Sequence, residues 1–309
     1  MHARGACAAQ WLRARASLYS ARVRIGLVTC RELPRPDVEL PLLERAFAAL
    51  GAEARPVVWD DAGVDWSGFD AALIRSPWDY VAKFDAFTRW IDAASRSTRL
   101  LNDAATLRWN LHKRYLFDLA ARGVDIIPTE LVAAGQEPDW DALFARFGDI
   151  VLKPAISAGS FATIRVERGD RARASAHRGA HITRDFLVQP LLGSVVERGE
   201  VNIVLIDGRV SHAVEKGARW SGDREQSRGS VEPGESARRL ALAALGALPS
   251  LGLSLPVYAR VDLADGPDGR PLLMEFEAVE PALFLDRASS GADELAAAVC
   301  ARLQENVRE

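Results

Sequence analysis

Short apolar runs alternate with helical segments over the first hundred residues of the chain. The apolar, β-branched run at 23–29 is typical of a buried strand, and residues 55–59 and 71–75 are predicted as two more strands. Apolar residues recur with helical spacing at 40–50 and again at 84–94. Strands that alternate with helices in this way predict βαβ units and a mainly parallel sheet, so we expect an α/β lobe here.

The pattern changes after about residue 105, where this first lobe is expected to end. A helix is predicted over Trp109–Arg122. Two strand-like runs flank Asp207-Gly208, which predicts a β-hairpin because Gly tolerates the positive φ angles of a tight turn. A second hairpin is predicted between Tyr258–Leu263 and Pro271–Glu277. Hairpins outnumber parallel crossovers in this part of the chain, which is therefore predicted to be α+β.

The predicted organisation is three lobes behind an N-terminal extension. Residues 1–22 carry four arginines and no acidic side chain. This composition resembles a transit peptide, but a disordered or over-long extension is the simpler interpretation. The boundaries that follow place the α/β lobe at 23–105, a small lobe at 106–192 and a C-terminal lobe at 193–309.

Composition and charge exclude several classes of protein. The 309 residues carry 39 basic and 42 acidic side chains, and this near balance argues against a dedicated nucleic-acid binder. No apolar run reaches the roughly 18 residues that would span a bilayer, so no membrane partner is expected. The three cysteines, Cys7, Cys30 and Cys300, are too few and too scattered for a disulfide framework or a thiolate zinc site. A reducing, cytoplasmic location is the simplest interpretation.

Lysine is rare in this chain. Only four of the 39 basic residues are lysine, and the other 35 are arginine, an imbalance that codon bias explains most simply. Under such a bias, a lysine that remains is more often required as lysine. The four are Lys83, Lys113, Lys153 and Lys216.

Acidic residues cluster on the second predicted hairpin. Glu275 and Glu277 are two residues apart on one strand, so they project from the same face. The hairpin brings Asp262 opposite them. Three carboxylates on one face repel one another unless a cation is present, and such oxygen ligands suit Mg²⁺. A solvated polar face is the alternative interpretation.

Three further segments have a weaker signal for ligand binding. Lys153 lies at the end of an apolar strand, and a loop of small residues follows that includes Ser157, Gly159 and Ser160. The backbone N–H groups of such a loop can bind phosphate. An ordinary turn after a strand has the same sequence pattern. The segment Gln189-Pro190-Leu191-Leu192 is either a linker between lobes or a hinge that pairs with an adenine edge. Glu200 and Lys216 flank the first hairpin and suit ribose and phosphate, although each is as readily a surface charge.

In the first lobe, Arg75 and Asp79 follow a predicted strand. Ligands of parallel sheets usually bind at such strand ends. We therefore expect both side chains to contact the substrate. The alternative is a structural corner held by Trp78 and Tyr80.

Taken in order, these motifs resemble the ATP-grasp fold, and in particular its branch of RimK-like and glutathione synthetase-like ligases. The resemblance to that branch covers residues 105–285. A subgroup that includes the O-ureido-D-serine cyclo-ligases of D-cycloserine biosynthesis is more similar still, over residues 23–286. The strings that carry this second likeness are VRIGLVTC, RSPWDY, RWNLHKRY, VLKPAISAG, DGRVSHAVEK, YARVDL and LLMEFEAVEPALFL.

The resemblance implies a fold, cofactors and a role for each matching residue. An α/β lobe would precede the ATP-grasp core, and the enzyme would use ATP with two Mg²⁺ ions, or Mn²⁺ in their place. Lys113 and Lys153 would hold the α- and β-phosphates. Ser157 to Ser160 would form a lid over the phosphates, Gln189 to Leu192 would line the adenine slot, and Glu200 would bind the ribose.

The resemblance also implies the residues of the reaction centre. Asp262, Glu275 and Glu277 would bind the metal ions. Arg260 would stabilise the acyl phosphate and the tetrahedral intermediate, and Lys216 would lie near the γ-phosphate.

The predicted reaction activates a carboxylate as an acyl phosphate and joins it to an amine. The substrate would be small and amino-acid-like, and the reaction would be a ring closure or the ligation of two amino acids. An ATP-binding protein without turnover is the rival hypothesis.

The sequence departs from the family pattern at two places. Many ATP-grasp enzymes have Asn where this chain has Glu277. The region around Arg224, a further candidate substrate contact, matches the subgroup only loosely. Either a monomer or a homodimer is compatible with this prediction.

Overall fold

The computed structural model describes residues 23–218 and 227–305. The predicted extension at 1–22 and the candidate Arg224 lie outside the described residues. No helix of the described part is both long and apolar enough to cross a membrane.

The first sheet is four-stranded and parallel, with the order β2-β1-β3-β4. Alternate strand residues are buried on both faces, which is why these strands read as continuous apolar runs. Leu27 and Leu73 pack towards helix α1, and Val28 and Ile74 pack towards helix α2. The elements are β1 (Arg24–Thr29), α1 (Leu40–Ala49), β2 (Glu53–Val58), β3 (Ala71–Ser76), α2 (Phe84–Ser97) and β4 (Arg99–Leu101). The predicted parallel α/β lobe is confirmed.

The second sheet is antiparallel, with the order β5-β8-β6-β7. One face packs on two helices through Trp140, Phe144 and Ala174. The elements of this region are α3 (Ala104–Asn110), α4 (Tyr115–Ala120), β5 (Glu130–Val132), α5 (Trp140–Phe147), β6 (Ile150–Pro154), β7 (Ile164–Val166), α6 (Arg171–Ala180), β8 (Phe186–Pro190) and α7 (Gly193–Glu197).

The third sheet is antiparallel and has the order β11-β10-β9-β12-β13 among the described residues. One face packs on α8 and α4, whereas Val204 and Tyr258 on the other face pack with residues of the first sheet and of α9. Asp207 and Gly208 both have positive φ, 48° and 79°, as the predicted hairpin turn requires. The elements are β9 (Glu200–Ile206), β10 (Arg209–Lys216), β11 (Ser227–Val231), α8 (Glu235–Gly246), β12 (Tyr258–Asp265), β13 (Pro271–Glu277) and α9 (Gly291–Glu305).

The single helix predicted over Trp109–Arg122 is wrong. Two helices, α3 and α4, occupy this stretch, and Lys113 lies in the break between them. The backbone N–H of Lys113 donates to the carbonyl oxygen of Ala155 at 2.8 Å, an interaction with the second sheet that replaces a helical hydrogen bond. Because of this break, Lys113 lies beside Ala155, the residue that follows β6.

Candidate active site

The three sheets meet around a cavity of about 440 Å³. Charged side chains of both signs dominate its lining. The basic ones are Arg35, Arg75, Lys113, Lys153, Lys216, Arg260 and Arg287, and the acidic ones are Asp37, Glu39, Glu200, Asp262, Glu275, Glu277, Glu280 and Asp286. Most of the candidate residues from the sequence line this cavity.

The β12–β13 hairpin places the predicted carboxylates together. Asp262 lies opposite Glu275 in the register, and Arg260 lies opposite Glu277. Arg260 donates through Nε and Nη2 to the two oxygens of Asp262 at 2.7 and 2.8 Å, and its Nη2 lies 2.8 Å from Oε1 of Glu277. The guanidinium thus bridges two carboxylates. Burial raises the pKa of Glu277 to about 8, although Arg260 opposes this shift.

Glu275 pairs with two lysines instead. Its Oε1 lies 2.9 Å from Nζ of Lys153, and its Oε2 lies 3.6 Å from Nζ of Lys113. Both lysines are buried, so these ion pairs are only weakly screened by solvent. The Nζ of Lys113 also donates to the carbonyl and the hydroxyl of Ser157, at 3.1 and 3.0 Å. The two predicted phosphate-binding lysines therefore converge on one predicted metal ligand.

No three His, Cys, Asp or Glu side chains of the described residues are arranged closely enough to hold a metal ion. In the β12–β13 hairpin, the carboxylates are not grouped around a metal because they form ion pairs. Arg260 pairs with Asp262 and Glu277, and the two lysines pair with Glu275. The donor chemistry still suits Mg²⁺, because the three side chains offer carboxylate oxygens in register on two paired strands. A metal would take these oxygens in exchange for their present partners.

Two residues that flank the break between α3 and α4 bind the outer edge of β13, the strand that carries Glu275 and Glu277. Asn110 donates to the carbonyl of Phe276 at 2.7 Å and accepts from the N–H of Ala278 at 2.6 Å. The hydroxyl of Tyr115 accepts from the N–H of Phe276 at 3.1 Å. Together they act as a partial strand beside β13. The sequence analysis missed both, and the one available signal was a polar Asn within an apolar helical pattern.

Glu200 and Lys216 face each other across the first hairpin. They are register partners of β9 and β10, and Oε1 of Glu200 lies 3.1 Å from Nζ of Lys216. Both side chains are buried and line the cavity. They are therefore cavity residues rather than solvated surface charges.

The predicted adenine hinge lies beside the cavity rather than in its lining. The side chain of Gln189 is buried and donates to the hydroxyl of Thr129 at 2.8 Å. Leu192 packs in a small apolar cluster with Ile127 and Met274, and Met274 lines the cavity. Pro190 ends β8, and the N–H of Leu191 donates to the carbonyl of Asp149. Contact of this segment with adenine stays a prediction.

The loop after β6 has an unusual backbone. Gly159, Ser160 and Ala162 all have positive φ, at 58°, 62° and 51°. For the two residues that are not glycine, this conformation costs about 1 kcal/mol or more each. Ser157, Gly159 and Ser160 line the cavity, which is where the predicted phosphate lid would have to be.

The two candidates of the first lobe differ in position. Arg75 lines the cavity but is only 1% exposed, and its Nη2 lies 2.8 Å from Oε2 of Glu39. Asp79 is not in the lining; it accepts from Nε1 of Trp59 at 2.8 Å and pairs with Lys83 at 2.6 Å. Asp79 thus has the partners of a structural corner, and its contact with substrate stays a prediction.

Comparison with known proteins identifies the family. A family model described as the N-terminal domain of D-cycloserine synthetase DcsG matches residues 25–102. The cycloserine biosynthesis protein DcsG of Streptomyces lavendulae is 36% identical over 287 residues, which cover 87% of this chain and 95% of that protein. The chain belongs to the DcsG family.

Solved structures agree with this assignment. The crystal structure of D-cycloserine synthetase DcsG has a TM-score of 0.83 at 36% identity and covers 91% of this chain and 99% of that one. A RimK domain ATP-grasp protein from Sphaerobacter thermophilus has a TM-score of 0.65 at 22% identity and covers 90% and 100% of the two chains. The predicted ATP-grasp fold is confirmed, and so is the enzyme class, since DcsG family members are ATP-dependent ligases.

A more distant relative spans part of the chain. Glutathione synthetase of Mesorhizobium japonicum is 27% identical over 155 residues, which cover 49% of this chain and 47% of that protein. The predicted resemblance to the glutathione synthetase branch therefore holds for about half of the molecule.

Proposed function

We propose that this DcsG family member is an ATP- and Mg²⁺-dependent carboxylate–amine ligase that closes a ring within a small amino-acid-like substrate, in the biosynthesis of a natural product. The observation that carries the proposal is the convergence of Lys113, Lys153 and Arg260 on the carboxylates of the β12–β13 hairpin. A cavity that offers both cations for phosphate and carboxylates for a metal suits phosphoryl transfer. The names of the relatives, which refer to D-cycloserine, favour ring closure.

The reaction has two steps. The γ-phosphoryl group is transferred from ATP to the substrate carboxylate, which yields ADP and an acyl phosphate. A nitrogen of the same substrate then attacks the acyl carbon and loses its proton to solvent, the C–O bond to phosphate breaks, and the products are a cyclic amide and phosphate. The acyl phosphate is needed because oxide is a poor leaving group and phosphate is a good one. Bound Mg²⁺ neutralises charge on the phosphates.

The residues of the chain have these proposed roles. Lys113 and Lys153 bind the α- and β-phosphates, and Lys216 lies near the γ-phosphate. Arg260 stabilises the negative charge of the tetrahedral intermediate. Asp262, Glu275 and Glu277 would bind two Mg²⁺ ions, or Mn²⁺. Gln189 to Leu192 contact adenine, and Glu200 binds the ribose. Ser157, Gly159 and Ser160 form a lid over the phosphates.

The present ion pairs of Glu275 would change if it became a ligand of Mg²⁺. Glu275 holds the two lysines in the ligand-free molecule, so its transfer to Mg²⁺ would release Lys113 and Lys153 towards phosphate. The carboxylate thereby keeps both lysines oriented into the cavity before the nucleotide arrives. Preorganisation of this kind reduces the cost of ordering long side chains on binding.

Phosphate release from ATP with O-ureido-D-serine tests the proposal. Wild type is expected to release phosphate only when ATP, Mg²⁺ and the substrate are all present. Lys153→Ala and Glu275→Ala are each expected to lower the rate by about 100-fold or more, the size of effect expected for lost charge stabilisation. Lys83→Ala is the matched control, because Lys83 pairs with Asp60 and Asp79 and does not line the cavity. Wild-type rates in both cavity variants would refute the site.

The mass of the product separates ring closure from ligation of two amino acids. Ring closure needs one substrate molecule and ATP, and its rate does not depend on an added amine. Ligation requires a second amine and gives a product whose mass includes both partners. Turnover that depends on an added amino acid would therefore favour the dipeptide-forming alternative.

A further inference from the structure

Glu280 is an acidic residue of the cavity to which the proposed chemistry gives no role. Glu280 follows β13 by three residues, and its half-buried side chain lines the cavity. Within the described part of the chain, no Lys, Arg or His nitrogen lies within 4 Å of its carboxylate. The other glutamates of the lining do have such a partner: Arg75 for Glu39, Lys216 for Glu200, the two lysines for Glu275 and Arg260 for Glu277.

The backbone around Glu280 is rigidly held. Nε1 of Trp78 lies 3.4 Å from the carbonyl oxygen of Glu280, Nη2 of Arg75 lies 2.8 Å from that of Pro281, and Nη1 of Arg260 lies 3.1 Å from that of Ala282. Three consecutive carbonyls thus accept from three different side chains. A residue fixed in this manner is preorganised, since its position does not have to be ordered when a ligand binds.

The first lobe borders the side chain of Glu280. Buried Tyr80 is close enough to its carboxyl group for each of the two to shift the pKa of the other. Tyr80 is itself fixed, because its ring packs against Phe87 of α2 at a centroid distance of 5.0 Å. The carboxyl group therefore lies between the first lobe and the end of β13, and within the described part of the chain it has no ion pair.

The position of Glu280 along the chain puts it at the substrate end of the cavity. On β13, Met274 lies beside the predicted adenine segment, and Glu275 and Glu277 pair with the cations to which the proposed function gives phosphate binding and stabilisation of the oxyanion. Glu280 lies beyond the end of this strand, near Trp78 and Tyr80 of the first lobe. With the proposed roles, the order along the chain would be nucleotide, phosphates, reacting carbonyl and then Glu280.

Burial leaves this carboxyl group poised for a cation. Burial raises the pKa of Glu280, and the neighbouring Tyr80 and the charge of Lys113 offset this only in part. A desolvated carboxylate gains most from a partner of opposite charge that enters the same site.

We propose that Glu280, beside Tyr80, binds a positively charged amino group of the substrate and thereby makes the enzyme selective for amino-acid-like molecules over simple carboxylic acids. This inference rests on the proposed function, whose substrate it specifies. Asp37 is the competing anchor, since no basic side chain of the described residues lies within 4 Å of it either. It is less suited, because it already accepts from the N–H of Glu39 and lies in a segment with exposed neighbours.

A comparison of two compounds tests the proposal: O-ureido-D-serine and the same molecule with its α-amino group replaced by hydrogen. Wild type is expected to prefer the first in kcat/KM. Glu280→Gln is expected to lower kcat/KM for the amino compound by about 30-fold or more, mainly through KM, because a hydrogen bond between charged groups is lost. The value of kcat/KM for the compound without the amino group should remain nearly unchanged. Tyr80→Phe should shift selectivity in the same direction by a smaller factor.

Asp37→Asn is the matched variant and is expected to keep wild-type selectivity. Equal losses on both compounds in Glu280→Gln, or a loss of selectivity in Asp37→Asn instead, would overturn the inference while the ligase function stood. Calorimetric binding of the two compounds to the enzyme with ADP and Mg²⁺ gives an independent readout. If wild type released no phosphate with either compound, the proposed function would fail, and the binding preference of wild type over Glu280→Gln would still decide the inference.

Discussion

At the scale of single residues, buried ion pairs define the cavity: Glu275 pairs with Lys113 and Lys153, and Glu200 pairs with Lys216. Three of the four lysines therefore line the cavity, as their rarity hinted. Glu275 was predicted as a metal ligand alone, because a pattern on one strand does not show what lies across the sheet. Glu280 and Glu39 were not predicted, since a single Glu next to a Pro or before a helix has no distinctive spacing.

Removal of one partner from the buried pair of Arg75 and Glu39 is expected to destabilise the protein strongly. Their side chains are 1% and 6% exposed, so Arg75→Met leaves a buried carboxylate without its cation. We expect a loss of about 3–5 kcal/mol in the free energy of unfolding, measured by urea denaturation. The double variant Arg75→Met with Glu39→Met should recover most of this loss, because no lone charge remains.

The exposed pair of Arg31 and Asp61, at 3.5 Å and with Arg31 64% exposed, provides the control for that experiment. Arg31→Met should change the free energy of unfolding by less than about 1 kcal/mol. A loss in Arg31→Met as large as that in Arg75→Met would mean that burial is not the cause.

The ionisation of Glu280 is expected to make the ligand-free enzyme less stable as pH rises. Burial raises the pKa of Glu280 above its ordinary value of 4.5, so the folded state retains a proton that the unfolded state has released. The stabilising contribution is complete below the ordinary pKa and is lost as pH rises through the folded-state pKa. Glu280→Gln removes this dependence and should be the more stable protein at high pH. Parallel pH profiles of denaturation midpoint for the two proteins would contradict the assignment.

At the scale of elements, most strands and helices followed from hydrophobic pattern, and the exceptions have physical reasons. The apolar spacing through Trp109–Arg122 predicted one helix because the pattern continues across the break, whereas a tertiary hydrogen bond from Lys113 to Ala155 interrupts it. Helix α6 was missed because only Ala174 and Arg178 of its ten residues are buried, so it has no apolar stripe.

Gly199 controls the start of β9. It has φ of 101°, and a Cβ added there would collide with the backbone carbonyl of Lys216 and with Gly217. Gly199→Ala should therefore displace the strand ends that carry Glu200 and Lys216, lower the rate of phosphate release and reduce stability by more than about 2 kcal/mol, a figure set by the conformational cost alone.

Gly208 is the matched control for that substitution. It also has positive φ, 79°, but nothing lies within 4 Å of an added Cβ. Gly208→Ala should cost only the conformational term of about 1–2 kcal/mol and leave the rate of phosphate release unchanged. Equal effects of the two substitutions, measured by denaturation and by phosphate release, would show that the collision is unimportant.

At the scale of the whole molecule, the arrangement of the lobes was the part that sequence pattern alone did not predict. The carbonyl of Pro281 that Arg75 contacts is 206 positions away along the chain, and no local periodicity reports such a contact. Family resemblance supplied the fold, but the contacts between lobes came from the structure. Each sheet contributes a basic residue to the cavity: Arg75 from the first, Lys153 from the second and Arg260 from the third.

A ligand that bridges these three sheets should stabilise the molecule as a unit. We expect a non-hydrolysable ATP analogue with Mg²⁺, at about 100 times its Kd, to raise the free energy of unfolding by about 2.7 kcal/mol. Hydrogen exchange should slow in β6, β9 and β13 together, because one ligand contacts all three strands. At the same concentrations Lys153→Ala should be stabilised much less, since its phosphate contact is gone. Equal stabilisation of Lys153→Ala, or protection confined to one sheet, would place the nucleotide outside this cavity.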